Sequence, residues 1–193
     1  MSEHTDRRVR RTRDALHRAL IELMIERGYE RVTVSDIIER ADVGRSTFYA
    51  HYRDKDDLLL VSCTEFLRRE IAHTADTFSP LGSLRVLFQL AGRYPEVYRP
   101  LVGPKAATGV IHAYRRGVAQ LIAELFDEWP TTTVAFVSWG LIGLIAEIID
   151  PADPLPAGQA WQQFERLAAH GIRGGADPAT ADGAAGRAPG SHR

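Results

Sequence analysis

With 193 residues, 45% of them hydrophobic and 25% charged, the chain can bury a sizeable core and has the composition of an ordinary globular protein. Its formal net charge of −1 excludes a protein that coats nucleic acid through overall basicity, so any contact with a polyanion has to be local. A single cysteine, Cys63, excludes an internal disulfide framework and fits a reducing compartment.

Helical periodicity dominates and no stretch sustains an alternation of period two, which predicts an all-α fold. The first helix is expected over residues 8–27, with Leu16, Ala19, Leu20, Leu23 and Met24 as its apolar stripe and Gly28 as its stop. Arg7, Arg8, Arg10, Arg11 and Arg13 cluster ahead of that stripe. His17, Arg18, Glu22, Glu26 and Arg27 break the apolar run, so it does not read as a signal peptide. Thr33 followed by Asp36 reads as a capping box opening a short second helix, whose buried face is Val34, Ile37, Ile38 and Ala41. Asp42 falls where the chain must turn, and aspartate tolerates the left-handed conformation.

A third short helix is expected over residues 45–52, after a tight joint. Three helices so arranged describe a helix-turn-helix inside a three-helix unit. Phe48 and Tyr52, four apart, point one way as core anchors. Arg45, Ser46, Tyr49, Ala50 and Arg53 form the opposite stripe, available to a groove. The small residues Ser46 and Ala50 allow close approach; Arg45 has the fork that reads guanine, and Tyr49 and His51 can donate to phosphate. Asp54 caps a long fourth helix, where Lys55 offers a cation and free backbone N–H groups to a further phosphate. Against this reading stands a charge count: residues 1–72 hold as many Asp and Glu as Arg and Lys, as three solvated helices of a plain bundle would.

Further on, Ser79-Pro80 and Tyr94-Pro95 read as helix starts, and Pro104 and Gly109 interrupt before a helix reaching about Trp129. Pro130 breaks it, and Thr131 opens an almost wholly apolar helix through 134–149, short of the roughly 20 residues a bilayer span needs. A helix apolar on nearly every side is expected to be buried on nearly every side. Residues 150–156, with three prolines, form a loop, and a last amphipathic helix over 158–172 carries Trp161, Phe164, Leu167 and Ala168. Residues 174–193 lack any large apolar side chain and are expected to be disordered. The domains are read as a helix-turn-helix over 1–54, a helical ligand-binding and dimerisation domain over 55–173, and a tail. Tyr94, Tyr98, His112, Tyr114 and Trp139 are polar-tipped aromatics of the kind that line a small-molecule pocket, although each alone also suits a core or rim.

The segment TVSDIIERADVGRSTFYAHY at 33–52, continuing through Lys55-Asp56-Asp57-Leu58, resembles the signature of TetR-type transcriptional regulators. The similarity covers about residues 8–65. It implies DNA-binding residues in the second and third helices and at the start of the fourth: Thr33, Ser35, Gly44, Arg45, Ser46, Thr47, Tyr49, Ala50, His51 and Lys55. It further implies a homodimer joined through 131–149 and 158–172, a pseudo-palindromic double-stranded DNA operator, and a small, mostly apolar effector that releases DNA. No enzymatic activity, cofactor, metal or membrane is implied, and the compartment is the cytoplasm. Two positions depart from the pattern: Asp42 stands for a usual glycine, and Gly44 for a usual serine whose hydroxyl would contact phosphate. The rival class is an all-helical enzyme or carrier, for which no GxSxG, HExxH or Gly-Lys phosphate loop is found. A DNA-binding module without a pocket is a third reading.

Overall fold

The computed structural model describes residues 3–73 and 81–174, with side chains described for 7–73 and 81–168. Among these residues the structure is all helical: α1 (Glu3–Arg27), α2 (Val34–Ala41), α3 (Arg45–His51), α4 (Lys55–His73), α5 (Arg85–Arg93), α6 (Pro95–Val102), α7 (Thr108–Leu125), α8 (Thr131–Ile148) and α9 (Ala157–Gly174). The expected helix start at Ser79-Pro80 and the expected disorder beyond Gly174 lie outside the described residues.

Helix α1 begins five residues earlier than its apolar stripe suggests, because the arginine run contains good helix formers and no breaker. It ends at Gly28, whose φ of 79° suits a residue without a side chain. The capping box forms as expected: the Asp36 amide donates to the Thr33 hydroxyl, and the Asp36 carboxylate accepts from the Thr33 amide. Asp42 takes the left-handed conformation at φ 53°, with its amide donating to the Glu39 carbonyl and that of Val43 to Ile38, closing α2 in a Schellman ending. Of the expected inner face of α2, only Ile37 is fully buried, and Val34, Ile38 and Ala41 are partly so. The helix lies over α1 at the molecular edge, where the Arg40 guanidinium grips Glu26 with two 2.8 Å bonds.

Two expectations at the far end are corrected. Helix α7 stops at Leu125 rather than near Trp129, and Gly109 lies inside its first turn. The residue before Pro130 is barred from the helical region, so Trp129 folds back and stacks on Phe126 at 4.1 Å. The last helix buries Trp161, Phe164 and Ala168 but leaves Leu167 70% exposed.

Helix α8 is the hub of the larger region, packed against α5, α6, α7 and α9. It is the one described helix with the length and apolarity of a membrane span, yet Val137, Leu141, Ile142 and Ile145 are buried against neighbours within the chain. Its burial is nonetheless one-sided: Phe136 is 62% and Trp139 45% exposed, and a side chain at Gly143 would meet open space. The helical head joins this region through α4, which contacts α1, and also through α6, which contacts α1 and the 3₁₀ turn at Tyr29–Arg31. Helix α4 is thus one link between head and body, and α6 is a second.

Candidate nucleic-acid interface

Helix α3 is held from behind. Phe48 is fully buried and Tyr52 nearly so, their rings 5.9 Å apart. The Tyr52 hydroxyl accepts from Arg13 Nε at 3.3 Å, and the same guanidinium pairs with Glu65 on α4. One arginine of α1 thereby fixes both the end of α3 and the side of α4. With one face anchored, Arg45, Ser46, Tyr49, Ala50 and Arg53 are all exposed on the other. The guanidinium of Arg45 lies 5.6 Å from the Tyr49 ring centre, a cation–π contact that aligns both side chains outward. Arg53 folds back onto Asp57, and His51 is half-buried beside Tyr52.

The other residues of the expected DNA surface are placed less uniformly. Ser35 is exposed at the start of α2, and Gly44 is an open N-cap of α3 without a side-chain bond, so it offers only its backbone. Thr47 is half-buried. The hydroxyl of Thr33 is committed to the capping box, donating to Asp36 Oδ2 at 2.6 Å. Thr33 thus orients α2 through its cap. Arg27 also reaches Asp36 at 2.8 Å, and together these bonds hold the Asp36 carboxyl down at about 2, with the Thr33 hydroxyl the largest contributor.

Lys55 corrects the expectation of a free cation. Its Nζ donates to the carbonyls of Tyr29 and Val32, each at 3.1 Å, and lies 4.2 Å from the Tyr29 ring centre. The Tyr29 hydroxyl in turn bonds Asp56, and burial followed by this bond holds that phenol well above its ordinary range. The side chain is drawn inward by the Val32 carbonyl and by the second lone pair of the Tyr29 carbonyl, which also accepts from the Val32 amide at 3.0 Å. What Lys55 leaves outward is its backbone N–H at the head of α4.

The five pocket aromatics do not converge. Tyr98 on α6 and Tyr114 on α7 are buried in the core with rings 6.2 Å apart. Burial pushes both phenols up, and likewise carries the neighbouring Cys63 thiol of α4 to about 12. The Tyr114 hydroxyl has no hydrogen-bond partner of normal geometry. His112 and Trp139 instead meet edge-to-face at 5.3 Å on the outside of α7 and α8, with Arg115 5.1 Å over the indole. Tyr94 is a half-buried cap between α5 and α6. On α7, His112 and Tyr114 are two residues apart and so point to opposite faces, which their spacing already implies; which of them faces inward is set by the packing of α6 and α8.

A family model described as bacterial regulatory proteins, tetR family, matches residues 16–61, the span from the core of α1 into α4. Over 80 residues the chain is 40% identical to the uncharacterized HTH-type transcriptional regulator YxbF of Bacillus subtilis, covering 38% of this chain and 21% of that protein. Over 54 residues it is 43% identical to the HTH-type transcriptional regulator TcmR of Streptomyces glaucescens, covering 28% of this chain and 24% of that one. The matched stretch therefore spans about a fifth to a quarter of the length of these relatives. In fold, the chain is similar to FadR of Thermus thermophilus, a TetR-family transcriptional repressor solved in complex with lauroyl-CoA, with a TM-score of 0.61 at 22% identity, over 83% of this chain and 94% of that one. Residues 16–61 thus form a helix-turn-helix of the kind found in the tetR family of bacterial regulatory proteins.

Proposed function

We propose that the protein is a cytoplasmic, homodimeric transcriptional regulator that binds a pseudo-palindromic DNA operator and is released from it by a small, mostly apolar effector. The observation that carries this reading is the geometry of α3: an exposed stripe of Arg45, Ser46, Tyr49 and Ala50 on a helix locked from behind by Phe48 and Tyr52. Such a helix is short, rigid and small enough at its centre to enter a major groove. Residues 1–54 act as the reading head, and 55–173 as the assembling and sensing body.

Dimerisation is supported by the one-sided burial of α8, since an apolar face of Phe136, Trp139 and the open Gly143, beside exposed Leu167 of α9, calls for a partner. A fatty acyl ligand on the fold relative supports an apolar effector. The inner aromatics Tyr98 and Tyr114 suit its polar end, because the buried Tyr114 hydroxyl has only the neighbouring Tyr98 phenol to turn to and no hydrogen bond of normal geometry. Repression, rather than activation, follows if the operator overlaps a promoter.

The test is selection of bound duplexes from a random pool. Enrichment of a two-fold-related sequence with half-sites about 10 base pairs apart, or a multiple of the helical repeat, is the expected result. Tyr49→Ala should weaken binding to every sequence by about 1–3 kcal/mol, while Arg45→Ala should blur preference at one base step. A pool that shows no enrichment overturns the reading.

A further inference from the structure

Beside the recognition helix lies a second, strongly charged surface. The first half of α1 and the turn at Ala41–Val43 enclose an open groove of about 870 Å³. Five arginines line it: Arg7, Arg8, Arg10, Arg11 and Arg18. All five are exposed, and among the described residues no acidic side chain pairs with any of them. Every other arginine of α1 is engaged: Arg13 with Glu65 and Tyr52, and Arg27 with Asp36. The groove's own acidic residues, Asp14 and Asp42, are outnumbered and do not close ion pairs with the arginines.

A row of unpaired guanidinium groups on one helix is costly to hold together, because like charges at helical spacing repel. What offsets that repulsion is a ligand with regularly spaced negative charge, and guanidinium forks match phosphate oxygens two at a time. The position of the groove decides which polyanion. Its far wall, Ala41–Val43, leads without a break into Gly44 and Arg45, the start of the recognition helix. A duplex seated on α3 therefore carries its sugar–phosphate backbone past this wall. An acidic protein segment would have no such reason to lie there.

Resting on the DNA-binding reading above, we infer that the arginine face of α1 is a phosphate clamp that grips the duplex backbone flanking the bases read by α3. The clamp supplies affinity without sequence preference, and it explains how a chain of net charge −1 can hold DNA. It also makes up for Lys55, whose ammonium is turned inward, and for Gly44, which has no hydroxyl to offer.

The experiment measures affinity for a selected duplex by fluorescence anisotropy over a series of salt concentrations, using the full chain. The variant Arg7→Gln/Arg8→Gln/Arg10→Gln/Arg11→Gln keeps good helix formers at each position, and its helicity and melting temperature are checked against the parent. Arg8→Gln and Arg10→Gln alone serve as milder variants should the quadruple fail to fold. The expected result is a roughly tenfold or greater loss of affinity at moderate salt, with the slope of log K against log salt falling by up to about 3.6 per subunit, ~0.9 for each arginine that holds a phosphate, and up to about 7 for a dimer on a two-fold site. The ratio of affinities for the selected duplex and a half-site mutant should stay that of the parent. An unchanged slope overturns the clamp and leaves the groove to another partner. A changed specificity ratio also overturns it, since the arginines would then read bases. Failure of the parent itself to prefer any duplex would count against the DNA-binding reading instead, so the two failures are distinguishable.

Discussion

At the scale of single residues, the cap of α2 is the clearest case of local chemistry fixing a functional surface. Thr33 and Asp36 satisfy each other's backbone amides, and the angle at which α2 presents Ser35 follows from that pair. Thr33→Ala should cost about 1 kcal/mol, read as a lower denaturation midpoint at an unchanged denaturant slope. His17 provides a second residue-scale outcome. It lies in α1 with Nδ1 unpartnered, and burial first, then Arg69, holds its pKa below 6.5. Asp14 and Glu65 act in the opposite sense. The unfolded chain therefore takes up a proton before the folded one as pH falls, so stability is full above about 6.5 and declines below it. His17→Leu should flatten the fall in melting temperature between neutral and mildly acidic pH relative to the parent. Parallel pH profiles of the two proteins would show that His17 does not contribute.

Among the elements, the contrast between what could and could not be read from the sequence has a physical basis. Capping boxes, the left-handed turn at Asp42 and the Pro95 helix start depend on bonds between residues at most a few positions apart, and these were legible. The inward turn of Lys55 depends on the Tyr29 and Val32 carbonyls more than twenty residues away, and the division of the aromatics into Tyr98–Tyr114 and His112–Trp139 depends on how α6, α7 and α8 rotate about their axes. The α6 contact with α1 was equally hidden, since nothing in an eight-residue helix names its partner. The α4–α7 crossing makes a testable case. A side chain at Gly117 would bring its Cβ to 3.0 Å from the Thr64 hydroxyl, which is tethered to the Leu60 carbonyl at 2.8 Å and cannot yield easily. Gly117→Leu should destabilise the protein by about 1–3 kcal/mol through overpacking. In a Thr64→Ala background, Gly117→Ala should instead stabilise by up to about 1 kcal/mol, the helix propensity gained. Thermal melts of the four proteins check both signs.

For the whole molecule, the two-link connection of head and body bears on how an effector would act. A shift of α4 alone would shear the Arg13–Glu65 pair, whereas α4 and α6 moving together would carry the head as one piece. Assembly is the other whole-molecule property. Gly143 faces open space on the exposed stripe of α8, so Gly143→Arg should leave the fold of one chain intact while blocking a second copy. Sedimentation should find the parent as a dimer at micromolar concentration and this variant as a monomer or in aggregates; a well-folded parent monomer would sink the assembly model. The half-exposed indole of Trp139 has one more consequence. Of the three tryptophans, Trp161 is already buried, Trp129 is stacked on Phe126, and Trp139 stands in the face that a second copy would cover. Its light emission should move to longer wavelength when the protein is diluted past its dissociation constant. If the chain pairs as proposed, Trp139 is a built-in optical gauge of that pairing, one that Trp139→Phe would silence.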